Sequence, residues 1–345
     1  MSPDVPPDLA AFGANALCVG MSAADIAAVH ALAEHVSFVK GARIVRQGEA
    51  SRGAWLLRVG TAEARVTLSA GGEETVAVIP ANGYFGETAL LDRGQCNASV
   101  VATENVDGWF LERDAFRALA ASRNPAALAL QRTLTATLAS RVSALNAALF
   151  AQPAPEDRPP RTDREADTEA GTANIRIEPG AAFAWRGFLH RLAFFEGFSE
   201  NEIDAVVADM RPVTVRRGDG VFCAGQAASA CYVVVRGAVE VLSRSPTRER
   251  RVALLGPGTL LGYLSVLAGK PHGADAVARE ETTLLEIPAP VFHALNRDAS
   301  GPAVKVQHAI QRALLQSLAR SNSQLSRLVT QARLDAALKA QSVAV

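Results

Sequence analysis

Cysteine is scarce in this sequence, with Cys18, Cys96, Cys223 and Cys231 as the only four among 345 residues. Their spacings match no metal site, and so few in so long a chain make no secreted disulfide framework. Reduced thiols in a cytoplasm are expected. Net charge is missing too, since 35 basic residues balance 35 acidic ones. Without a global field to draw the chain to nucleic acid or an anionic surface, neither DNA binding nor membrane insertion is predicted. No run reaches membrane-spanning length without a charge, Gly or Pro. The amino terminus is acidic and proline-rich (Pro3, Asp4, Pro6, Pro7, Asp8), the reverse of a signal peptide. No Ser/His/Asp, Cys/His, metal or Walker-type arrangement is found, so neither an enzyme nor a cofactor is expected. A hydrophobic share of 49% excludes general disorder, and the length has room for two domains.

What is present is a repeat. Ser22 caps a helix that carries Ile26, Val29, Leu32 and Ala33 at helical spacing. Short strand-like runs follow at 43–46, 54–59, 63–68 and 75–78, punctuated by Gly41, Gly48, Gly60, Gly71 and Gly72, and further runs lie at 99–103 and 108–111. Evenly spaced strands of this kind read as a β-roll or sandwich. Asn124-Pro125 then opens a helix with Leu134, Leu138, Val142, Leu145 and Leu149 along one stripe.

The same order then returns. Gly218, Gly225 and Gly237 repeat Gly41, Gly48 and Gly60 at an offset of 177, while Gly262, Val277 and Phe292 repeat Gly86, Val101 and Phe116 at 176. In this copy 231–242 alternates around Gly237 as a hairpin, and a closing helix from about Gly301 carries Ile310, Leu314, Leu318, Leu325 and Leu328. The expected domains are 12–150 and 176–332, with a hydrophilic, proline-rich flexible linker at 151–175 and a short tail at 333–345. Arg248–Arg251 and Arg216-Arg217 read as solvated faces.

One stretch carries the chemistry. Phe85-Gly86-Glu87-Thr88-Ala89-Leu90-Leu91 leaves a glycine turn, makes one helical turn, loops through Arg93, and returns as Cys96-Asn97-Ala98-Ser99. A helix start offers backbone N–H groups to an anion. A carboxylate such as Glu87 accepts hydrogen bonds from sugar hydroxyls. Together they describe a nucleotide pocket.

The order of these residues resembles the phosphate-binding cassette of cyclic-nucleotide-binding domains: Phe-Gly-Glu-x-Ala-Leu, a loop, then Arg-x-Ala-[Ser/Thr]. The resemblance covers roughly 22–149 and 188–328. It implies an α+β, mainly β fold: two jelly-roll-like β-rolls, each with N-terminal flanking helices and a closing C-terminal helix. It also implies a cyclic mononucleotide, cyclic AMP or cyclic GMP, as ligand of the first copy.

Both cassettes depart from the pattern at the arginine. Cys96 stands there in the first copy, a neutral thiol in place of a cation, with Arg93 nearby on the loop and the Asn97 amide as a further donor. The second reads Gly262-Tyr263-Leu264-Ser265, then His272-Gly273-Ala274-Asp275. There Tyr263 replaces the carboxylate, His272 the arginine and Asp275 the Ser/Thr, a degenerate site with an added negative charge. After Leu328 only 17 residues follow, with Arg333 and Lys339 as the basic ones, too little for a helix-turn-helix. The expected function is a regulator that binds a cyclic nucleotide weakly in domain 1 and acts through a protein partner. Self-association through a closing helix is part of that expectation. The alternative is a ligand-independent scaffold.

Overall fold

The computed structural model describes residues 6–67, 72–91, 94–151, 157–159, 185–245 and 247–343. The chain divides into two compact units, Met1–Thr137 and Leu138–Val345. In the first unit α1 (Pro7–Gly13) and α2 (Ala23–His30) precede β1 (Ala33–Phe38), β2 (Arg43–Val45), β3 (Gly53–Val59), β4 (Ala62–Thr67), β5 (Glu73–Ile79) and β6 (Tyr84–Phe85). One turn of helix, α3 (Thr88–Leu91), leads to β7 (Ser99–Ala102) and β8 (Val106–Glu112), then α4 (Arg113–Ala121) and the start of α5 (Pro125–Ala151). The strands form two antiparallel four-stranded sheets, β1-β8-β3-β6 and β2-β7-β4-β5.

The second unit repeats the plan. After α6 (Glu200–Val207) come β9 (Arg211–Val215), β10 (Gly220–Phe222), β11 (Ala230–Arg236), β12 (Val239–Ser245), β13 (Arg248–Leu255) and β14 (Leu260–Leu261). Helix α7 (Tyr263–Ala268), β15 (Asp275–Ala278), β16 (Thr282–Pro288), α8 (Ala289–Arg297) and α9 (Gly301–Val343) complete it. Its sheets are β14-β11-β16-β9 and β10-β15-β12-β13.

Local chemistry sets several of these boundaries. The Ser22 hydroxyl accepts the Asp25 N–H at 3.1 Å and starts α2, and Ser199 with Glu202 makes a full capping box for α6. The helical spacing past Leu32 does not extend α2. Residues 33–38 instead pair with β8 over six positions, a tertiary choice that overrides local periodicity. The alternation around Gly237 is no hairpin either, because β11 and β12 belong to different sheets. Gly237 is the corner between them, at φ +91°, and a Cβ there would lie 2.5 Å from the Thr282 hydroxyl.

The expected mainly-β jelly roll is corrected. Each unit holds two open sheets rather than a closed barrel, and helix exceeds strand, because α5 and α9 alone run to 27 and 43 residues while the longest strand has eight. The leucine stripes of these helices are partly covered, with Leu145, Leu325 and Leu328 half-buried. Leu134, Leu138, Val142 and Leu149 of α5 are buried, as are Ile310, Leu314 and Leu318 of α9. By length and hydropathy alone α5 could cross a bilayer, and 33% of its apolar window is buried inside the protein.

Most of the expected linker lies outside the described residues; Ala151, the last residue of α5, and Asp157–Pro159 are the exceptions. Arg158 exchanges backbone hydrogen bonds with Glu249 of β13, at 2.9 and 2.8 Å. The Asp157 carboxylate meets Arg250 at 2.5 Å and Arg248 at 3.3 Å. The same arginines reach the last carbonyls of α5: Arg250 to Leu149 at 2.8 Å, Arg248 to Phe150 at 3.1 Å and Ala151 at 3.2 Å. Cations at a helix C-terminus satisfy orphan carbonyls and the negative end of the dipole. Arg248 and Arg250 are therefore a cap, and the solvated-face expectation fails for both.

Candidate functional site

In the first unit, β6 pairs with β3 through Trp55 and Phe85, whose rings stack at 5.3 Å and 5°. The chain then turns at Gly86, φ +75°, where a Cβ would come within 2.6 Å of the Gly53 carbonyl and 3.0 Å of the Trp55 ring. Only glycine fits this corner. Glu87 follows with 4% exposure, then half-buried Thr88 and buried Ala89. The Ala89 and Leu90 N–H groups are bonded within the turn to Gly86 and Glu87 at 3.0 and 3.1 Å, and α3 has four residues. The N–H seat for an anion is thus smaller than the sequence suggests, and so short a helix contributes little dipole.

The loop that follows is fixed by its backbone. Ser51 N–H reaches Gly94 at 2.9 Å, Cys96 N–H reaches Glu49 at 2.8 Å, and Gly48 N–H reaches Cys96 at 2.8 Å. Arg93 lies outside the described residues. The Cys96 side chain is half-buried; burial raises its pKa, a hydrogen bond with Ser51 opposes this, and the nearby Glu49 carboxylate adds to the rise. Burial thus works against a thiolate at Cys96. Asn97 is exposed, Ala98 half-buried, and the buried Ser99 hydroxyl accepts the Gln47 N–H at 3.1 Å.

The second unit uses the same frame differently. Gly225 N–H reaches His272 at 2.8 Å and His272 N–H reaches Gln226 at 2.9 Å, the bonds that Gly48, Cys96 and Glu49 make in the first unit. The His272 ring, 5% exposed, stacks on Phe222 at 3.7 Å and 9°, and Phe222 stacks in turn on Tyr232. Gly262, φ +77°, leaves space for both rings, since a Cβ would lie 3.1 Å from each. Tyr263, 5% exposed and pushed up to about 12 by burial, shares a 3.1 Å hydrogen bond with Ser317 of α9. Leu264, Ser265 and Ala274 are half-buried and Gly273 is exposed. The charge expected from Asp275 is neutralised internally: its carboxylate accepts the Ala224 N–H at 2.7 Å and meets Arg244 at 3.1 Å.

Phe222, Ser317 and Trp55 belong to these sites and escaped the reading by motif. The 177 offset does align Phe222 with Val45 and Tyr232 with Trp55. Trp55 is half-buried beside the interior cluster of the first unit, whereas Tyr232 is buried within that of the second. Rings fill the second interior at positions where the first has Val45 and Cys96.

Burial pushes His272 down to about 4. Unfolded, the imidazole takes a proton near 6.5; folded, it resists until about 4. The unfolded state binds more protons within that window, so this term of stability is intact above pH 6.5 and is lost as the pH falls toward 4. Urea midpoints at pH 7 and 4.5 should therefore drop less on acidification in His272→Phe than in the wild type; equal drops would refute the assignment.

The family model for the cyclic nucleotide-binding domain matches residues 35–123 and 212–298. The chain is 28% identical over 146 residues to the CRP-like cAMP-activated global transcriptional regulator of Mycobacterium tuberculosis, covering 41% of this chain and 62% of that one. It is 34% identical over 94 residues to the cyclic AMP receptor protein of Thermus thermophilus, covering 27% and 44%. The chain therefore spans less than two thirds of either relative's length. Among solved structures, the regulatory domain of Toxoplasma gondii PKA with cAMP is matched at 16% identity and a TM-score of 0.32, over 90% of this chain and 95% of that one.

Proposed function

The chain belongs to the cyclic nucleotide-binding domain family in both its halves, and from that premise we propose a non-enzymatic regulator whose first half senses a ligand and whose second half is a pocket closed by its own side chains. The modules are residues 12–150 and 176–332, each cassette lacking the arginine of the family pattern. The observation that carries this reading is the contrast between the halves. Glu87, a buried carboxylate, persists beside half-buried Trp55 in the first. In the second, Tyr263 is bonded to α9 and His272 and Phe222 fill the interior.

In the first half the ligand rests on Glu87, on the N–H groups of Gly86, Glu87 and Thr88, and on the Cys96–Ser99 return, with Phe85, Ala89 and Arg93 completing the cassette. The output passes to a protein partner, the chain's own second copy included, and the setting is cytoplasmic. The scaffold reading applies with most force to the second half, because a filled interior needs no ligand to stay ordered.

Titration calorimetry of the full chain with cyclic AMP and cyclic GMP tests this. The expected result is one equivalent bound per chain, with a Kd in the micromolar range or weaker, because a charge-assisted pair contributing about 1.5–3 kcal/mol is missing. Two equivalents would refute the division between the halves. Binding to neither the wild type nor Cys96→Arg would leave the scaffold.

A further inference from the structure

We propose that the outer edge of β13 is a receptor for an extended acidic peptide, occupied in this chain by its own residues 157–159. The inference stands on contacts within the second unit and needs no ligand at the first cassette. β13 is the last strand of its sheet, β10-β15-β12-β13, so one side of its backbone faces away from the sheet. Arg158 takes that side at one point, an antiparallel bridge in which it exchanges both backbone bonds with Glu249. The Asp157 carboxylate accepts two bonds from Arg250, at 2.5 and 3.0 Å, and one from Arg248 at 3.3 Å. Asp157 and Arg250 are held close, their side chains only 15% and 11% exposed. Backbone pairing at a sheet edge, with an arginine fork on a carboxylate, is a way to recognise an acidic strand.

The resident segment is a poor strand. Pro155 and Pro159 flank the bridge in sequence, and proline has no N–H to give a ladder. Among the described residues the pairing is a single bridge, although β13 runs on to Leu255. Leu254 of that strand is left 55% exposed, and the Val252 carbonyl is held by the Gln324 side chain at a long 3.4 Å. In antiparallel register, the residues that precede the acid run toward Leu254. A segment with an acid in the place of Asp157, apolar residues before it and no flanking prolines keeps the ion pair, adds ladder bonds and covers Leu254. Such a segment is the better occupant. The resident competes by being attached, since Asp157 lies six residues after Ala151, the last residue of α5. An attached segment acts at an effective concentration on the order of millimolar.

The experiment is fluorescence anisotropy on the full chain with labelled synthetic peptides. One peptide copies residues 152–163, a second adds Pro155→Val and Pro159→Val, and each is also made with Asp157→Asn. The Asp157→Asn chain should bind the copied peptide at least about tenfold more tightly than the wild type does, because the resident has lost its ion pair. The proline-free peptide should bind more tightly again, and added salt should weaken both. Asparagine in the peptide, or Arg250→Gln added to the Asp157→Asn chain, should each cost at least about tenfold. Arg251→Gln in that same background should change little, since Arg251 is 64% exposed and 3.9 Å from Glu240. Amide exchange at Glu249 gives a second readout that survives if Arg250→Gln misfolds. It should quicken in the Asp157→Asn chain and slow again when peptide is added. Equal peptide affinity for the wild-type and Asp157→Asn chains overturns the inference. So does binding that ignores the peptide's acid, binding that leaves Glu249 exchange unchanged, or no binding to any of the chains.

Discussion

Cyclic AMP should bind the Cys96→Arg variant about 10- to 100-fold more tightly than the wild type, the worth of one charge-assisted pair of roughly 1.5–3 kcal/mol. The position allows the change. Cys96 is half-buried on a loop held by its backbone, so a longer side chain can extend along the cassette without breaking Cys96 N–H to Glu49 or Gly48 N–H to Cys96. Glu49 lies close enough to act on the thiol and would orient the guanidinium. The gain should be specific to the phosphate, with adenosine affinity changed little. Equal affinity for cyclic AMP in variant and wild type, with the fold intact by circular dichroism, would mean that another cation already serves the phosphate.

The matching change in the second unit should do the opposite. His272→Arg should destabilise the protein by several kcal/mol, the order of the cost of an uncompensated buried charge, and create no site. His272 is a neutral ring packed face to face on Phe222 and over Gly262, with its pKa pushed down to about 4 by burial. A guanidinium there must leave water, and the Asp275 carboxylate, three residues on, is already bonded to Arg244 and the Ala224 N–H. A lower urea midpoint with no second equivalent of cyclic AMP is the expected pair of results. An unchanged midpoint together with a second bound equivalent would show that the second interior opens readily.

Both expectations turn on substitutions that the sequence displays openly. Cys96, Tyr263 and His272 stand out as soon as the glycines at 86 and 262 are aligned. The repeat is legible because glycine at a positive φ is a steric need, and both copies keep it at the same corners. What could not be read depends on contacts between distant residues. Alternation around Gly237 looks the same whether the next strand returns beside the last or crosses to another sheet. Helix outweighs strand in part through α9, which runs on to Val343, past the stripe that ends at Leu328. Phe222 reads as an ordinary strand aromatic until it meets His272, 50 residues on. Arg248 and Arg250 look like hairpin-tip charges because their acceptors lie about 100 residues earlier in the chain.

Those two arginines also bear on how the chain descends from a duplicated half. Their counterparts in the first copy, at an offset of 176, are Gly72 and Glu74, so the first copy has no such pair of cations at these positions. Only the second copy carries it, and its target is the C-terminal end of α5. The division between the two compact units falls within α5, after Thr137, so the carbonyls that the arginines hold lie in the same unit as the arginines. A piece excised at the repeat boundary would keep Arg248 and Arg250 yet lose the carbonyls of Leu149, Phe150 and Ala151 that they hold. The two copies have stopped being interchangeable parts, and the end of one now completes the other.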